Sequence, residues 1–348
     1  MNKVVIESHI PYVGDVFSGV AEAVFLPPEE ITPAAVRDAD VLVVRTRTRC
    51  DEALLRGSRV RMVATATIGT DHIDLGYCRD NGIEVVSAPG CNAPAVAQYV
   101  WASVLRMRPA DRQSLTLGIV GLGHVGAIVA DWACRLGVKV LACDPPRSRR
   151  DGGWNPSHPC ERGDEPFVTL DEIASRADVV TFHTPHTIAG EDATHHLADS
   201  RFFTALRRAP IIINAARGPV VDTKAILEAV RARKVSGCVI DCWEGEPAVS
   251  SELLRVADIA TPHIAGYSIE GKRRATVAVV SAALRFFGEP ADNLHVIPQS
   301  LPGTEITPET ILASYNPFDD TAVLKSGFTP SRFETLRNTY PLRHEVGF

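Results

Sequence analysis

Three segments in the second half of the chain each set a chemically capable side chain at the end of an apolar run. Ile213-Asn214-Ala215-Ala216-Arg217-Gly218 offers Arg217, whose planar guanidinium can grip a carboxylate through two parallel hydrogen bonds. Asp241-Cys242-Trp243-Glu244-Gly245-Glu246-Pro247 puts carboxylates in a second loop, and Thr261-Pro262-His263-Ile264-Ala265-Gly266 puts a histidine in a third. A histidine can remove a proton near neutral pH, and a buried carboxylate beside it favours the imidazolium that forms. A 2-hydroxy acid losing hydride needs this set: a cation for its carboxylate, a base for its hydroxyl proton, and support for the base. Taken singly, His263 reads as structural, and the bland alternative for Arg217 is a surface arginine in a strand-end loop. On successive strand ends, with Glu246 or Glu244 beside them, they read as chemistry.

Earlier in the chain, Leu117-Gly118-Ile119-Val120 runs into Gly121-Leu122-Gly123-His124-Val125-Gly126. This G-x-G-x-x-G follows an expected strand and opens an expected helix, the context in which the motif binds a dinucleotide. Gly121 permits the tight turn, Gly123 lets the backbone approach the pyrophosphate, and Gly126 allows close helix packing. The phosphates would rest on the positive helix N-terminus, where His124 and Val125 offer backbone contact. Asp144 ends the next apolar run and can accept hydrogen bonds from the ribose hydroxyls. Its charge would repel a 2′-phosphate, so NAD is expected rather than NADP, although Arg147 lies close by.

The elements that must position these groups alternate short apolar runs with helical patterns, the rhythm of α/β architecture. Strands are expected at 4–6, 41–44, 62–66 and 83–87, followed by a helix from Ala93 to before Pro109. A second series, at 117–120, 138–143, 179–183, 211–214, 239–241 and 259–261, reads as a doubly wound Rossmann-type parallel sheet. Helices at 126–136 and 224–233 separate its strands. Residues 147–165 read as an exposed loop. Beyond Gly288 the rhythm stops, and Thr307-Pro308 and Thr329-Pro330 mark helix starts. Phe333, Leu336 and Tyr340 then share a face. A tail of this size must dock on the body or on another subunit, or stay mobile.

Composition bounds the function. The formal net charge is −6 with no block of like charge, which does not support a nucleic-acid or membrane-surface footprint. The eight cysteines are scattered without a Cys-x-x-Cys pair, so they read as reduced, mostly buried thiols, and no metal is expected. The N-terminus reads as a strand rather than a leader, and no apolar run approaches spanning length. A cytoplasmic location is expected.

With these residues together, the chain resembles the D-isomer-specific 2-hydroxyacid dehydrogenase family from Met1 to about Gly288. The resemblance implies Arg217 for carboxylate binding, His263 as acid/base and Glu246 as its partner. It implies a substrate-binding domain of residues 1–92 and 266–288, flavodoxin-like and α/β, and an NAD-binding domain of residues 93–265. A short α+β extension, residues 289–348, would be of the dimerisation type and support a homodimer. Thr65-Ala66-Thr67-Ile68-Gly69-Thr70-Asp71-His72, Cys143-Asp144-Pro145-Pro146-Arg147 and Gly266-Tyr267-Ser268-Ile269-Glu270-Gly271-Lys272 narrow the likeness to the branch that oxidises 4-phosphoerythronate. That branch implies substrate contacts at Arg45, Thr46, Thr67 and Tyr267, and cofactor contacts at Thr184, Asp241 and Gly266. The other readings are a dehydrogenase of 3-phosphoglycerate or of broad D-2-hydroxy acids, and an NAD-sensing protein on the same scaffold.

A phosphorylated substrate also suits Val43-Val44-Arg45-Thr46-Arg47-Thr48-Arg49. On a strand-like backbone Arg45, Arg47 and Arg49 would share one face, and charge-assisted bonds to phosphate are strong. Arg47 and Arg49 also fit a solvated basic edge; Arg45, on the segment that matches the family, is the better candidate by that resemblance. Of the remaining histidines, His72 reads as shaping a turn, and His195-His196 as a structural pair in a helical approach.

Overall fold

The computed structural model describes residues 2–108, 114–151, 167–291, 294, 301 and 304–348. Among them the strands are β1 (Lys3–Glu7), β2 (Glu22–Leu26), β3 (Val41–Val44), β4 (Met62–Thr65), β5 (Glu84–Val86), β6 (Thr116–Val120), β7 (Lys139–Cys143), β8 (Val179–Phe182), β9 (Ile211–Asn214), β10 (Gly237–Ile240) and β11 (Ile259–Ala260). The chain divides into two compact units, Met1–Asn92 with Ser268–Gln299, and Ala93–Tyr267 with Ser300–Phe348.

In the first unit five parallel strands lie in the order β2-β1-β3-β4-β5, the flavodoxin-like winding. Val41 and Val43 of β3 enter one core with Val4, Ile6 and Met62, while Leu42 and Val44 enter another with Val5 and Val63. Burial on both faces explains why these strands read as unbroken apolar runs. The strand β2 escapes that reading because it is an edge strand with Glu22, Ala23 and Phe25 exposed. The helix Ile269–Phe286, capped by the Ser268 hydroxyl, packs Ala275, Val279 and Ala283 on the first core.

The second unit carries six parallel strands in the order β11-β10-β9-β8-β6-β7. Val168 adds an N–H to Ala142 O beyond β7, at 2.9 Å. On β9, Ile211 and Ile213 face one core and Ile212 the other. The strand order reverses at β6, which lies between β7 and β8, and ligands of such sheets bind outside the carboxyl ends of the strands at that switch point. The helix Ala93–Met107 is buried from Ala93 through Leu105. Beyond the core residues it meets the C-terminal segment, where Gln98 Nε2 donates to Ser314 Oγ at 2.9 Å and Arg106 Nη2 to Leu312 O at 2.8 Å.

The C-terminal segment differs from an α+β extension: its described residues hold three helices, Pro308–Ser314, Pro317–Lys325 and Pro330–Asn338, and no strand. Each begins with proline behind a capping Thr307, Asn316 or Thr329, and three such starts close together leave little chain for strands. Ile311 and Tyr315 join one core of the second unit, Leu324 and Phe333 the other. The expected 147–165 loop begins instead as a helix, Pro145–Asp151, because the Asp144 carboxylate accepts the Arg147 N–H at 3.0 Å and starts the turn. Its remainder, 152–165, lies outside the described residues. Among those described, Cys50, Cys78, Cys143, Cys238 and Cys242 are buried free thiols; Cys160 falls outside. No described helix is long and apolar enough to cross a membrane.

Candidate active site

The glycine loop leaves β6 with Gly121 at φ +92, where a Cβ would stand 2.8 Å from the His183 carbonyl carbon. A Cβ on Gly126 would stand 2.1 Å from Gly121 O, so helix and loop meet backbone to backbone. Gly123 is different: it is the N-cap of the helix His124–Arg135, and a Cβ there would meet no atom of the described residues within 4 Å. The packing of the described residues therefore leaves this place in the loop clear, where a pyrophosphate fits. Asp144 Oδ2 accepts the Leu122 N–H at 2.7 Å, which ties the carboxylate at the end of β7 to the loop. At the end of β8, Thr184 Oγ1 and His183 Nδ1 are buried and meet no hydrogen-bond partner among the described residues, as polar atoms awaiting a ligand would be. Part of His183 stays accessible, yet burial around its ring pushes the imidazole down to about 3. These residues fit NAD.

The loops after three further strands, at the same carboxyl edge of the sheet, meet one another. Arg217 follows β9, and its Nη1 donates to Ala216 O at 2.8 Å. The Cys242 thiol shares that carbonyl at 3.4 Å, and a Cβ on Gly218 would stand 1.9 Å from Trp243 O, so the loops after β9 and β10 touch. His263 follows β11, with Nδ1 at 2.9 Å from Glu246 Oε2 and 3.2 Å from Oε1. Glu246 also accepts the Trp243 N–H at 2.8 Å. Burial works to raise the Glu246 carboxyl, but the charge and hydrogen bond of His263, the Trp243 N–H and Arg337 together hold it below its usual range. Glu244 is engaged elsewhere, 2.7 Å from His196 Nε2 and accepting the Thr223 N–H at 2.8 Å. His263 is thus paired with the carboxylate before proline. His196 does not enter a helix as expected; it sits at φ +51 in a loop and stacks on His195 at 4.0 Å, because Glu244 draws its ring inward.

His263 itself sits at φ +57, a conformation uncommon for a non-glycine residue that persists only when neighbours enforce it. Asp241 enforces it. Its backbone O accepts the His263 N–H at 3.0 Å, Oδ1 accepts the Ile264 N–H at 2.8 Å, and Oδ2 the Ala265 N–H at 3.1 Å. Thr261 Oγ1 donates to Oδ1 at 2.7 Å and receives the Tyr99 hydroxyl at 2.8 Å. Burial pushes the Asp241 carboxyl up against the pull of His263 and these hydrogen bonds. Arg343 braces the same loop from behind, donating to Ile264 O at 3.2 Å, to Ala265 O and to Ala95 O at 3.2 Å, with its guanidinium 4.2 Å over the Tyr315 ring. Asn214 Nδ2 ties the other loops, reaching Arg217 O at 3.0 Å and Cys242 O at 3.2 Å. Asn214 and Thr261 carried a signal in the sequence, as polar residues closing apolar runs. Tyr99 and Arg343 carried none.

Tyr267 follows Gly266, donates its N–H to Ile264 O at 2.8 Å, and lies edge-on to Tyr340 at 6.2 Å. In the first unit Arg45 and Thr46 follow β3 and Thr67 follows β4, at the carboxyl ends of that sheet. The shared arginine face does not form, because residues 46–48 turn instead of extending. The buried Glu7 carboxylate accepts the Arg45 N–H at 2.8 Å and the Thr48 hydroxyl at 3.1 Å, which bends the chain. Arg49 is left 82% exposed and paired with Asp51 at 2.8 Å. Thr67 lies 2.7 Å from the Thr65 hydroxyl, and that hydroxyl is 3.0 Å from His72 Nε2.

Residues 93–265 match the family model described as D-isomer specific 2-hydroxyacid dehydrogenase, NAD binding domain. The chain is 43% identical to erythronate-4-phosphate dehydrogenase of Bacteroides fragilis, over 99% of this chain and 97% of that one. It is 39% identical to the Escherichia coli enzyme of the same name, over 99% and 92%. Its fold is similar to Aquifex aeolicus D-lactate dehydrogenase complexed with NAD and lactic acid, at a TM-score of 0.68 and 24% identity over 82% of this chain and 96% of that one. The holo D-mandelate dehydrogenase of Rhodotorula graminis gives 0.69 and 22% over 84% and 97%. The chain is an NAD-dependent oxidoreductase of the CH–OH group, and it belongs to the D-isomer-specific 2-hydroxyacid dehydrogenase family.

Proposed function

We propose that the chain oxidises 4-phospho-D-erythronate to (R)-3-hydroxy-2-oxo-4-phosphooxybutanoate, with NAD, in the synthesis of pyridoxal 5′-phosphate. The carrying observation is the 43% identity, end to end, with an erythronate-4-phosphate dehydrogenase. In this reading Arg217 holds the substrate carboxylate and polarises C2. His263 Nε2 takes the hydroxyl proton, while Nδ1 stays fixed on Glu246. The glycine loop would hold NAD, which would supply the hydride acceptor for C2. Arg45, Thr46, Thr67 and Tyr267 are the substrate contacts of this reading. The glycine loop, Asp144, Thr184, Asp241 and Gly266 line the cofactor's place. The positive φ of His263 keeps its ring aimed from a loop that Asp241 and Arg343 hold still, and that preorganisation supports a catalytic over a sensing role.

The enzyme works in the cytoplasm as a homodimer in this reading, and Phe318 and Val323, 40% and 45% exposed on a C-terminal helix, support a partner there. The test follows NADH formation with 4-phospho-D-erythronate, 3-phosphoglycerate and D-lactate in parallel, with 2-oxo acid acceptors present in case NADH release is slow. Turnover on the first above the others is expected. Preference for 3-phosphoglycerate would replace the substrate, and NAD binding without turnover on any would make the chain a sensor.

A further inference from the structure

The helix Pro330–Asn338 brings a cation to the acid–base pair from the C-terminal segment. The Thr329 hydroxyl starts it by accepting the Arg332 N–H at 3.0 Å, and Phe333 pins it, fully buried in the core of the second unit. Arg337 lies four residues on, so it rises from the same face. Its Nη1 stands 3.7 Å from Glu246 Oε2, the oxygen nearest His263 Nδ1. Tyr267 hydrogen-bonds the same guanidinium, and Glu334 stands 4.0 Å away. The side chains of Arg337 and Glu246 are 21% and 17% exposed, so little water screens them.

We infer that Arg337 is a positioning residue of the acid–base pair: it fixes the Glu246 carboxylate against His263 Nδ1, and its positive charge opposes the gain of a second one on the ring. The inference rests on the reading of His263 as the base. Glu246 already receives His263 and the Trp243 N–H; a cation on its open side turns a pair into a three-membered array with one net positive charge once His263 is protonated. A positive charge there disfavours the imidazolium directly and offsets part of the carboxylate's attraction for it. Both effects have the same sign. Among the described residues, Arg217, Asp241 and the Cys242 thiol also stand around the pair. Burial pushes that thiol up, which leaves it neutral, and Asp241 is committed to Thr261, Ile264 and Ala265. Arg337 therefore stands out as a tuning charge delivered by the C-terminal segment, and its guanidinium keeps its charge, since Tyr267, Glu246 and Glu334 outweigh the cost of burial.

The experiment follows the His263 ring by NMR in full-length protein with ring-labelled histidine, assigned by His263→Asn, with NAD bound. In Arg337→Gln the His263 titration midpoint should rise by roughly half a pH unit to one unit, and Arg337→Lys should return most of it. The acidic limb of kcat/KM should move with the midpoint, with kcat affected more than the KM for NAD. Arg337→Met, which keeps the apolar stem, serves if the glutamine variant does not fold. An unmoved midpoint overturns the inference, and a raised substrate KM with an unmoved midpoint would make Arg337 a substrate contact instead. The titration needs no turnover, so a wild-type protein inactive on every 2-hydroxy acid would refute the proposed function and leave this test standing.

Discussion

His263 Nδ1 and Glu246 Oε2 stand 2.9 Å apart, and the bond between them settles which ring nitrogen faces away from the carboxylate. With Nδ1 engaged, Nε2 is the nitrogen left to exchange a proton with substrate. Replacing His263 tests this only if the loop keeps its shape, and Asn tolerates the positive φ found there. His263→Asn should lower kcat by roughly 10²–10⁴-fold and leave the NAD dissociation constant, read by fluorescence, unchanged. A loss of NAD binding of similar size would place His263 in the cofactor site.

Gly123 and Gly126 belong to one motif and should fail differently. Alanine at Gly126 drives a Cβ to 2.1 Å from Gly121 O, and unfolding by urea should show a loss of about 3 kcal/mol or more. Alanine at Gly123 meets no atom of the described residues, so stability should stay within about 1 kcal/mol while NAD affinity falls roughly tenfold or more. Normal NAD affinity in Gly123→Ala would mean that the pyrophosphate does not approach that Cα.

His183 supplies a pH dependence. Its imidazole is held down to about 3, against 6.5 for the free side chain, by burial. Between these values the unfolded chain binds a proton that the folded chain refuses, so folding loses stability as pH falls below 6.5 and the loss is complete near 3. Denaturation midpoints taken from pH 6.5 downward should fall more steeply for wild type than for His183→Gln, by up to about 1.4 kcal/mol per pH unit. Parallel curves would show that His183 protonates in the fold.

Arg45 and Arg49 separate a substrate contact from a solvated edge. Arg45 follows β3, with its N–H anchored on Glu7, whereas Arg49 is exposed and paired with Asp51. Arg45→Ala should raise the KM for the phosphorylated substrate roughly ten- to a hundredfold and leave that for NAD nearly unchanged. Arg49→Ala should alter neither. Equal effects of Arg45→Ala on both constants would remove it from the substrate site.

The strands were legible wherever both faces are buried, as in Val41–Val44 and Ile211–Ile213, because two-sided burial writes itself as an apolar run. The edge strand β2 was not, since exposure breaks that pattern. Arg217, Glu246 and His263 stood out in the sequence because each lies in a short motif in the loop after a strand, and the structure brings Glu246 and His263 together. What local reading could not supply is pairing across distance. The choice between Glu246 and Glu244 turns on His196, which takes Glu244 for itself from a loop far upstream. The arginine loop bends because of Glu7, on a neighbouring strand. Arg343 and Tyr99 act on the His263 loop through contacts that no spacing announces.

The strand β11 is only Ile259–Ala260, bonded to β10 on one side. On its other side the Ala260 N–H is taken by Thr321 Oγ1 at 3.0 Å, from the helix Pro317–Lys325, while Lys325 reaches the Ala257 carbonyl. An open strand edge is a template for another chain, so this helix closes the sheet against its own kind. A chain ending before Pro317 would lose more than a docking segment. It should accumulate as strand-linked aggregate, with its cellular level set by chaperones and proteases rather than by catalysis.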